Sequence, residues 1–234
     1  MTADTHPIAG PAEITTAEIT TDEITTDGFT THEITTGDEL TALIGTPIQR
    51  VRDKVRPALH ELDRQWLAAS PFCLVATSDA EGRCDVSPKG DPAGHLAYVI
   101  DDRAIAIAER PGNKRVDGYR NILTNPHVGL IFLIPGRGDT LRINGRARLV
   151  RDAEFFDAMI VKGHRPVLAL VVEIEEVFHH CAKAFLRSQL WEPQTWHDPV
   201  PPRPVIAKTL DAPGETLEAL TAYYREQYRD QLYR

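Results

Sequence analysis

Seven residues near the middle of the chain, Glu109-Arg110-Pro111-Gly112-Asn113-Lys114-Arg115, interrupt a series of apolar, strand-like segments. Proline, glycine and asparagine form a turn. Two adjacent cations follow, immediately before a helical pattern that opens at Val116. The free N–H groups of a helix's first turn, together with its dipole, favour an anion. Asn113 can donate an amide hydrogen bond, Lys114 adds a point charge, and Arg115 can grip two phosphate oxygens at once. The chemistry indicated is capture of a phosphate group. The alternative for the same residues is a basic turn capping a surface helix.

Three further groups have residue types suited to a ligand. In Asp85-Val86-Ser87-Pro88-Lys89-Gly90, Ser87-Pro88 holds the backbone extended and Gly90 permits close approach. Such a segment can hydrogen-bond a planar heterocycle, with Lys89 as a cation at its rim; most segments of this kind are plain turns. Arg142, Asn144 and Arg146 alternate with apolar residues and so share one strand face, turned either to solvent or to a site. Lys183, Arg187, Ser188 and Trp191 recur at helical spacing. A metal reading of His179-His180-Cys181 is poor, because neighbouring strand residues point to opposite faces. No Gly-x-Ser-x-Gly nucleophile elbow occurs.

The elements that must position these groups are mostly strands. Phe72–Thr77 and Arg83–Ser87 read as a hairpin across Asp79-Ala80-Glu81-Gly82. His95–Ile100 and Arg103–Glu109 read as a second hairpin, and His127–Ile134 and Thr140–Val150 as a third pair. Val167–Phe178 is a long strand. Helices are expected over Val116–Leu123, from an Asp152 N-cap to Lys162, over Cys181–Leu190, and over Leu217–Leu232. Upstream, Ile48, Val51, Val55, Leu59, Leu62, Trp66 and Leu67 form one helical stripe from Thr46, which Pro57 should kink and Ser70-Pro71 should end. Strands in hairpin order with helices only at connections predict a mainly β (α+β) fold, an antiparallel barrel of six to seven strands. Alternating βαβ units and a Gly-x-Gly-x-x-Gly fingerprint are absent, which argues against a dinucleotide fold.

With 234 residues and 42% hydrophobic content, one or two domains are expected. The longest apolar run, Val128–Ile134, is far short of the roughly 20 residues of a membrane span. Three widely spaced cysteines make no disulfide framework, and no secretory pattern is read at the N-terminus, so a cytoplasmic location is expected. A net charge of −8 argues against nucleic acid as a partner and for a single bound anion. Residues 1–40 read as a disordered Thr-rich tail built on a five-residue repeat, as in Glu18-Ile19-Thr20-Thr21-Asp22. With one apolar residue per unit it buries too little surface to offset ordering. Residues 41–204 then form the main domain, and 205–234 an amphipathic C-terminal helix packed on the barrel or on a partner chain.

Three ordered motifs, Glu109–Arg115, Gly138–Ala147 and Cys181–Trp191, resemble the FMN-binding split-barrel flavoproteins of the pyridoxamine 5′-phosphate oxidase-like family. The resemblance implies a split β-barrel homodimer with FMN in each of two clefts at the subunit interface. By position, Asn113, Lys114 and Arg115 would hold the phosphate, and Ser87, Pro88 and Lys89 would run along the isoalloxazine edge. Arg142 and Asn144 would lie near the cofactor, and Lys183, Arg187, Ser188 and Trp191 would approach it from one subunit or the other. The implied activity is FMN-dependent electron transfer to or from a small molecule. A flavin- or haem-binding carrier without turnover is the alternative, and a dimeric scaffold with an empty cleft a third. One departure argues against vitamin B6 oxidation. Pyridoxamine phosphate oxidases proper carry Arg-x-Val-Leu-Leu-Lys where this chain has Asp85–Gly90, and end in an Arg/Pro-rich tail not found here.

Overall fold

The computed structural model describes residues 23–26, 29–197, 199–228 and 232–233. The chain divides into two units, Met1–Arg52 and Asp53–Arg234. In the first, β1 (Glu23–Thr26) and β2 (Phe29–His32) pair antiparallel, Glu23 opposite His32. Helix α1 (Gly37–Ile44) follows, and α2 is the short Gln49–Arg52. The sequence reading ran the unstructured tail to residue 40; in the structure α1 starts at Gly37 because Thr36 and Glu39 form a capping box. Glu39 N–H donates to Thr36 Oγ1 at 3.2 Å, and Thr36 N–H donates to Glu39 Oε2 at 3.1 Å. The first 22 residues of the expected tail lie outside the described residues.

In the second unit the helical stripe expected from Thr46 to Ser70 is interrupted, and α3 spans only Glu61–Ala69. Pro57 cannot continue a helix. Just before it, Arg56 forms an isolated bridge with Val177, its N–H donating to the Val177 carbonyl at 3.1 Å. The stripe is correspondingly split: Leu59, Trp66 and Leu67 are buried, while Val55 and Leu62 are exposed.

Seven strands form one antiparallel sheet: β3 (Phe72–Ser78), β4 (Cys84–Gly90), β5 (Ala97–Val99), β6 (Ala104–Ala108), β7 (His127–Leu133), β8 (Thr140–Val150) and β9 (Ala169–His180). Their order is β4-β3-β7-β8-β9-β6-β5, the arrangement of a mainly β split barrel. Period-two alternation sends Cys73, Val75 and Thr77 of β3, and Leu141, Ile143 and Ala147 of β8, inward. Leu130, Phe132, Leu170, Val172 and Val177 complete the main core, each large side chain contributing about 1.5–3 kcal/mol by burial. The β6–β9 layer has a second apolar face, where Ala106, Ala108, Ala169 and Val171 pack under Phe156 and Met159.

Between β8 and β9 pairing slips at Asn144/Gly145, leaving Glu175 as the extra residue of a bulge. Gly145 is required there, since a Cβ would stand 1.9 Å from the Glu173 carbonyl oxygen.

The connections differ from expectation at two places. The helix expected from Asp152 is a 3₁₀ turn over Glu154–Met159 with Ala153 at its N-cap and no side-chain cap. Asp152 instead pairs with Arg165 at 3.0 Å, so its carboxylate is turned away from the helix N–H groups. At the C-terminus, α6 (Arg203–Ile206) and α7 (Leu217–Ala222) each continue into a π-helical turn, over Ala207–Asp211 and Tyr223–Gln227. Helices α4 (Asp117–Thr124) and α5 (Lys183–Ser188) lie where the pattern placed them; Gln189, left-handed at φ 51°, closes α5. Among the described residues no helix is long and apolar enough to cross a membrane.

Candidate functional site

Edge strand β4 and the insert after β6 face one another across a cleft of about 940 Å³. One wall is Asp85–Asp91, another is Ala108–Asn113 with Arg115 and Asp117, and a third is formed by Tyr223, Tyr228, Leu232 and Tyr233. A smaller pocket adjoins it, and Asp85, Ser87, Lys89, Glu109 and Arg115 line both. Ser87, Pro88, Lys89, Asn113 and Arg115 are thus brought together, although about twenty residues separate the two segments in sequence. Lys114 does not line the cleft; its backbone is left-handed, at φ 61°.

The insert is shaped locally. Glu109 N–H donates to the Leu168 carbonyl at 2.8 Å, holding the end of β6 on β9. Asn113 Oδ1 accepts from Arg115 N–H at 2.9 Å, an Asx turn that aims the chain into α4. Val116 is the N-cap of α4 and supplies no side-chain hydrogen bond, so the first-turn N–H groups keep their capacity for an external acceptor. Helix α4 lies close on β3 and β4 because residue 118 is glycine: a Cβ there would meet Asp85 Oδ2 at 3.0 Å and Thr77 Oγ1 at 3.3 Å. Asn121 Nδ2 donates to Thr77 Oγ1 at 3.0 Å and Asn125 Nδ2 to Ser78 Oγ at 3.0 Å, fixing the helix in register.

Each cleft cation already has a carboxylate. Lys89 Nζ stands 2.9 Å from Glu109 Oε2 and 3.0 Å from the Tyr119 hydroxyl, and 4.6 Å above the Tyr119 ring. The Tyr119 hydroxyl donates to Glu109 Oε2. Burial first, then the bond to Glu109 and its negative charge, pushes the Tyr119 phenol well above its usual range. Burial likewise pushes the Cys73 thiol up to about 12, against a smaller opposing pull from Lys89. Arg110 Nε donates to Asp91 Oδ2 at 2.7 Å and Nη2 to the Met159 carbonyl at 2.9 Å, while its buried Nη1 has no partner. Arg115 is largely in solvent: Nε contacts Asp117 Oδ2 at 2.5 Å, and that bond raises the guanidinium's proton affinity. Its other two nitrogens have no partner among the described residues.

The sequence reading missed Asp91, Tyr119 and the C-terminal tyrosines, and gave Glu109 and Arg110 no role of their own. Glu109 and Arg110 sit within the recognised insert, so a search for counter-charges to Lys89 would have found Glu109. Nothing in sequence brings Tyr233 to Asp91, 142 positions away.

The remaining expected residues lie elsewhere on the same chain. Arg142 and Asn144 occupy the outer face of β8. Sheet register puts Arg142 three strands from Pro88, through Ile131 and Leu74, roughly 14 Å at normal strand spacing. Asn144 Nδ2 donates to Glu176 Oε2 at 2.8 Å. Arg142 and Lys54 lie over the Phe178 ring at 5.1 and 5.2 Å, and Arg142 Nε is buried without a partner. Trp191 Nε1 donates to the Arg137 carbonyl at 2.7 Å and its ring stacks on Phe185, while Ser188 Oγ donates to the Phe185 carbonyl at 3.2 Å. Lys183 and Arg187 are on α5; none of these six residues lines the cleft.

This second region is anchored by Asp63, only 1% exposed. It accepts two bonds from Arg56, at 2.6 and 3.0 Å, one from His60 N–H at 2.7 Å, and faces His179 Nε2 at 3.1 Å. Burial by itself would raise the Asp63 carboxyl; the Arg56 and His60 bonds and the positive charges of Arg56 and His179 outweigh it and hold the group below the usual range. His180 is held down by burial, then by Arg142 and Lys54. Among the described residues no three His, Cys, Asp or Glu side chains are grouped to hold a metal ion.

The sheet order defines a split-barrel protein with a cleft at the sheet's edge. Residues 59–181 match the family described as Pyridoxamine 5'-phosphate oxidase, and the chain belongs to that family. No curated protein matches it. Similar solved structures include HupZ of Group A Streptococcus, 20% identical over 52% of this chain and 93% of that one, with a TM-score of 0.42. An FMN-binding protein from Syntrophomonas wolfei is 15% identical over 51% and 89%, with a TM-score of 0.39. HutZ, the heme storage protein from Vibrio cholerae, is 16% identical over 52% and 93%, with a TM-score of 0.36.

Proposed function

We propose that this protein is an FMN-dependent oxidoreductase that binds FMN in the cleft between β4 and the 109–115 insert and exchanges electrons with a small molecule. The observation that carries the reading is the convergence of Ser87, Pro88 and Lys89 with Asn113 and Arg115 in that cleft. The residues suit the cofactor. Arg115 keeps two guanidinium nitrogens for a phosphate, the α4 N-terminus has no side-chain cap, and Lys114 adds charge beside them. Strand β4 is a sheet edge, so part of its backbone is free to bond a heterocycle. Bound FMN supplies the electron transfer; the protein binds it, orients it and, through Lys89, sets the charge beside the ring.

The same reading includes a homodimer. Arg142, Asn144, Lys183, Arg187, Ser188 and Trp191 do not line the cleft of their own chain, so they reach an FMN only from a second copy. It also includes a cytoplasmic setting, in keeping with three unpaired cysteines.

The test is ligand titration of Arg115→Ala by flavin fluorescence. FMN affinity falls while riboflavin affinity holds; equal losses for both ligands, or a wild type that takes up no FMN, would sink the reading. Reduction of the bound flavin by NADH or NADPH, followed by turnover of an acceptor, separates an enzyme from a carrier.

A further inference from the structure

The cleft has a third wall that neither the insert nor β4 supplies. Tyr223, Tyr228 and Tyr233 come from the last dozen residues of the chain and line the same cavity as Lys89 and Arg115. They are held there specifically. The Tyr233 hydroxyl donates to Asp91 Oδ1 at 2.8 Å, and Asp91, 9% exposed, takes Arg110 on its other oxygen at 2.7 Å. Lys162 and Arg110 lie over the Tyr233 ring at 5.1 and 6.0 Å. Tyr223 packs edge-on against Tyr228 with ring centroids 6.0 Å apart, and Tyr224 meets both. Burial and the bond to Asp91 raise the Tyr233 phenol, so its proton stays in place to donate at neutral pH.

We infer that this C-terminal wall selects the substrate, and that the substrate is a flat aromatic or conjugated molecule lying against the tyrosines. An aromatic wall presents quadrupole surface that rewards ring against ring and gives a saturated molecule of equal size only burial. Its rings are pre-positioned, Tyr223 and Tyr228 against each other with Tyr224 behind them, and Tyr233 by two cations and a buried carboxylate. Little side-chain entropy is then lost on binding. The inference rests on the proposed flavin site, since the second molecule must meet the cofactor in the same cleft.

The test compares 2-naphthol with its saturated analogue 2-decalol by saturation-transfer NMR, in the full chain with and without FMN. The wild type prefers 2-naphthol by about tenfold, the size expected of one or two aromatic contacts. Tyr223→Ala/Tyr228→Ala abolishes the preference and leaves FMN affinity unchanged. Tyr233→Phe keeps the ring and the preference but speeds hydrogen exchange in residues 87–91, where the hydroxyl was anchored. Tyr223→Leu/Tyr228→Leu keeps apolar bulk without a ring and also loses the preference, which supplies an answer if the alanine variant fails to fold; a leucine variant that keeps the preference overturns the inference. No preference in the wild type overturns the inference while leaving FMN binding untouched. Loss of FMN in the double variant also overturns it, because the flavin itself would then occupy the wall. A protein that binds no FMN yet prefers 2-naphthol refutes the flavin reading and keeps the wall.

Discussion

Replacing Glu109 with glutamine should move stability and cofactor affinity in opposite directions. Glu109 accepts from both Lys89 and Tyr119, and the three side chains are largely shielded: Lys89 is 17% and Glu109 26% exposed. Glutamine keeps one acceptor oxygen but loses the charge. Lys89 keeps the Tyr119 hydroxyl and ring and now bonds a neutral amide oxygen in place of the carboxylate. A charge-assisted bond of about 1.5–3 kcal/mol becomes an ordinary one, a loss of about 1–2 kcal/mol. For a unit of this size that lowers Tm by about 2–8 °C. The cleft meanwhile gains one unit of positive charge. At a separation of about 10 Å and an effective dielectric between 20 and 80, a phosphate charge gains about 0.4–1.7 kcal/mol, so FMN should bind about two- to fifteenfold more tightly. Riboflavin, lacking the phosphate, should change little. Circular dichroism melting and flavin-fluorescence titration at two ionic strengths measure both effects, and the gain should shrink in high salt. If FMN and riboflavin weaken together, Glu109 acts by holding Lys89 against the ring, and the electrostatic reasoning is refuted.

Two other substitutions probe the scaffold. Asp63→Asn should cost about 1–3 kcal/mol at pH 7, less than a fully buried pair because Arg56 reaches solvent. The Asp63 carboxyl is held low in the fold, so its contribution is present above the unfolded value of about 3.9 and fades as pH falls below it. Urea unfolding should therefore show the gap between wild type and variant closing in acid; an equal gap at pH 7 and pH 3 would rule out the ion pair as its source. Gly145→Ala should cost upwards of about 3 kcal/mol, since the 1.9 Å clash is with backbone that cannot rotate away. Gly129→Ala, whose Cβ meets only the Asn144 side-chain oxygen at 3.4 Å, is the control and should be tolerated in the same melting assay.

Most strands were legible because their cause is local. Alternation in Phe72–Ser78 and Thr140–Val150 follows from a period of two, and turn residues bound each run. The missed elements were those decided by competition. Asp152 has the residue type of a cap, yet Arg165 takes its carboxylate. The stripe through Val55 and Leu62 has helical spacing, yet Arg56 is drawn into a bridge with Val177 across the fold. Thr36 and Glu39 formed a readable capping box that the repeat pattern obscured.

The site divides along the same line. Residue types and order alone marked Asn113, Lys114 and Arg115 as an anion turn and Ser87, Pro88 and Lys89 as an extended segment with a cation, because turn geometry and charge are properties of a few adjacent residues. Which of them meet was a matter of sheet order. With β4 at the edge and the insert beyond β6, one cleft gathers five of the twelve expected residues, leaves Arg142 and Asn144 roughly three strands away, and does not include Lys183, Arg187, Ser188 or Trp191. Counter-charges such as Glu109 to Lys89, and the reach of Tyr233 to Asp91, depend on through-space pairing between distant parts of the chain, which no local pattern encodes.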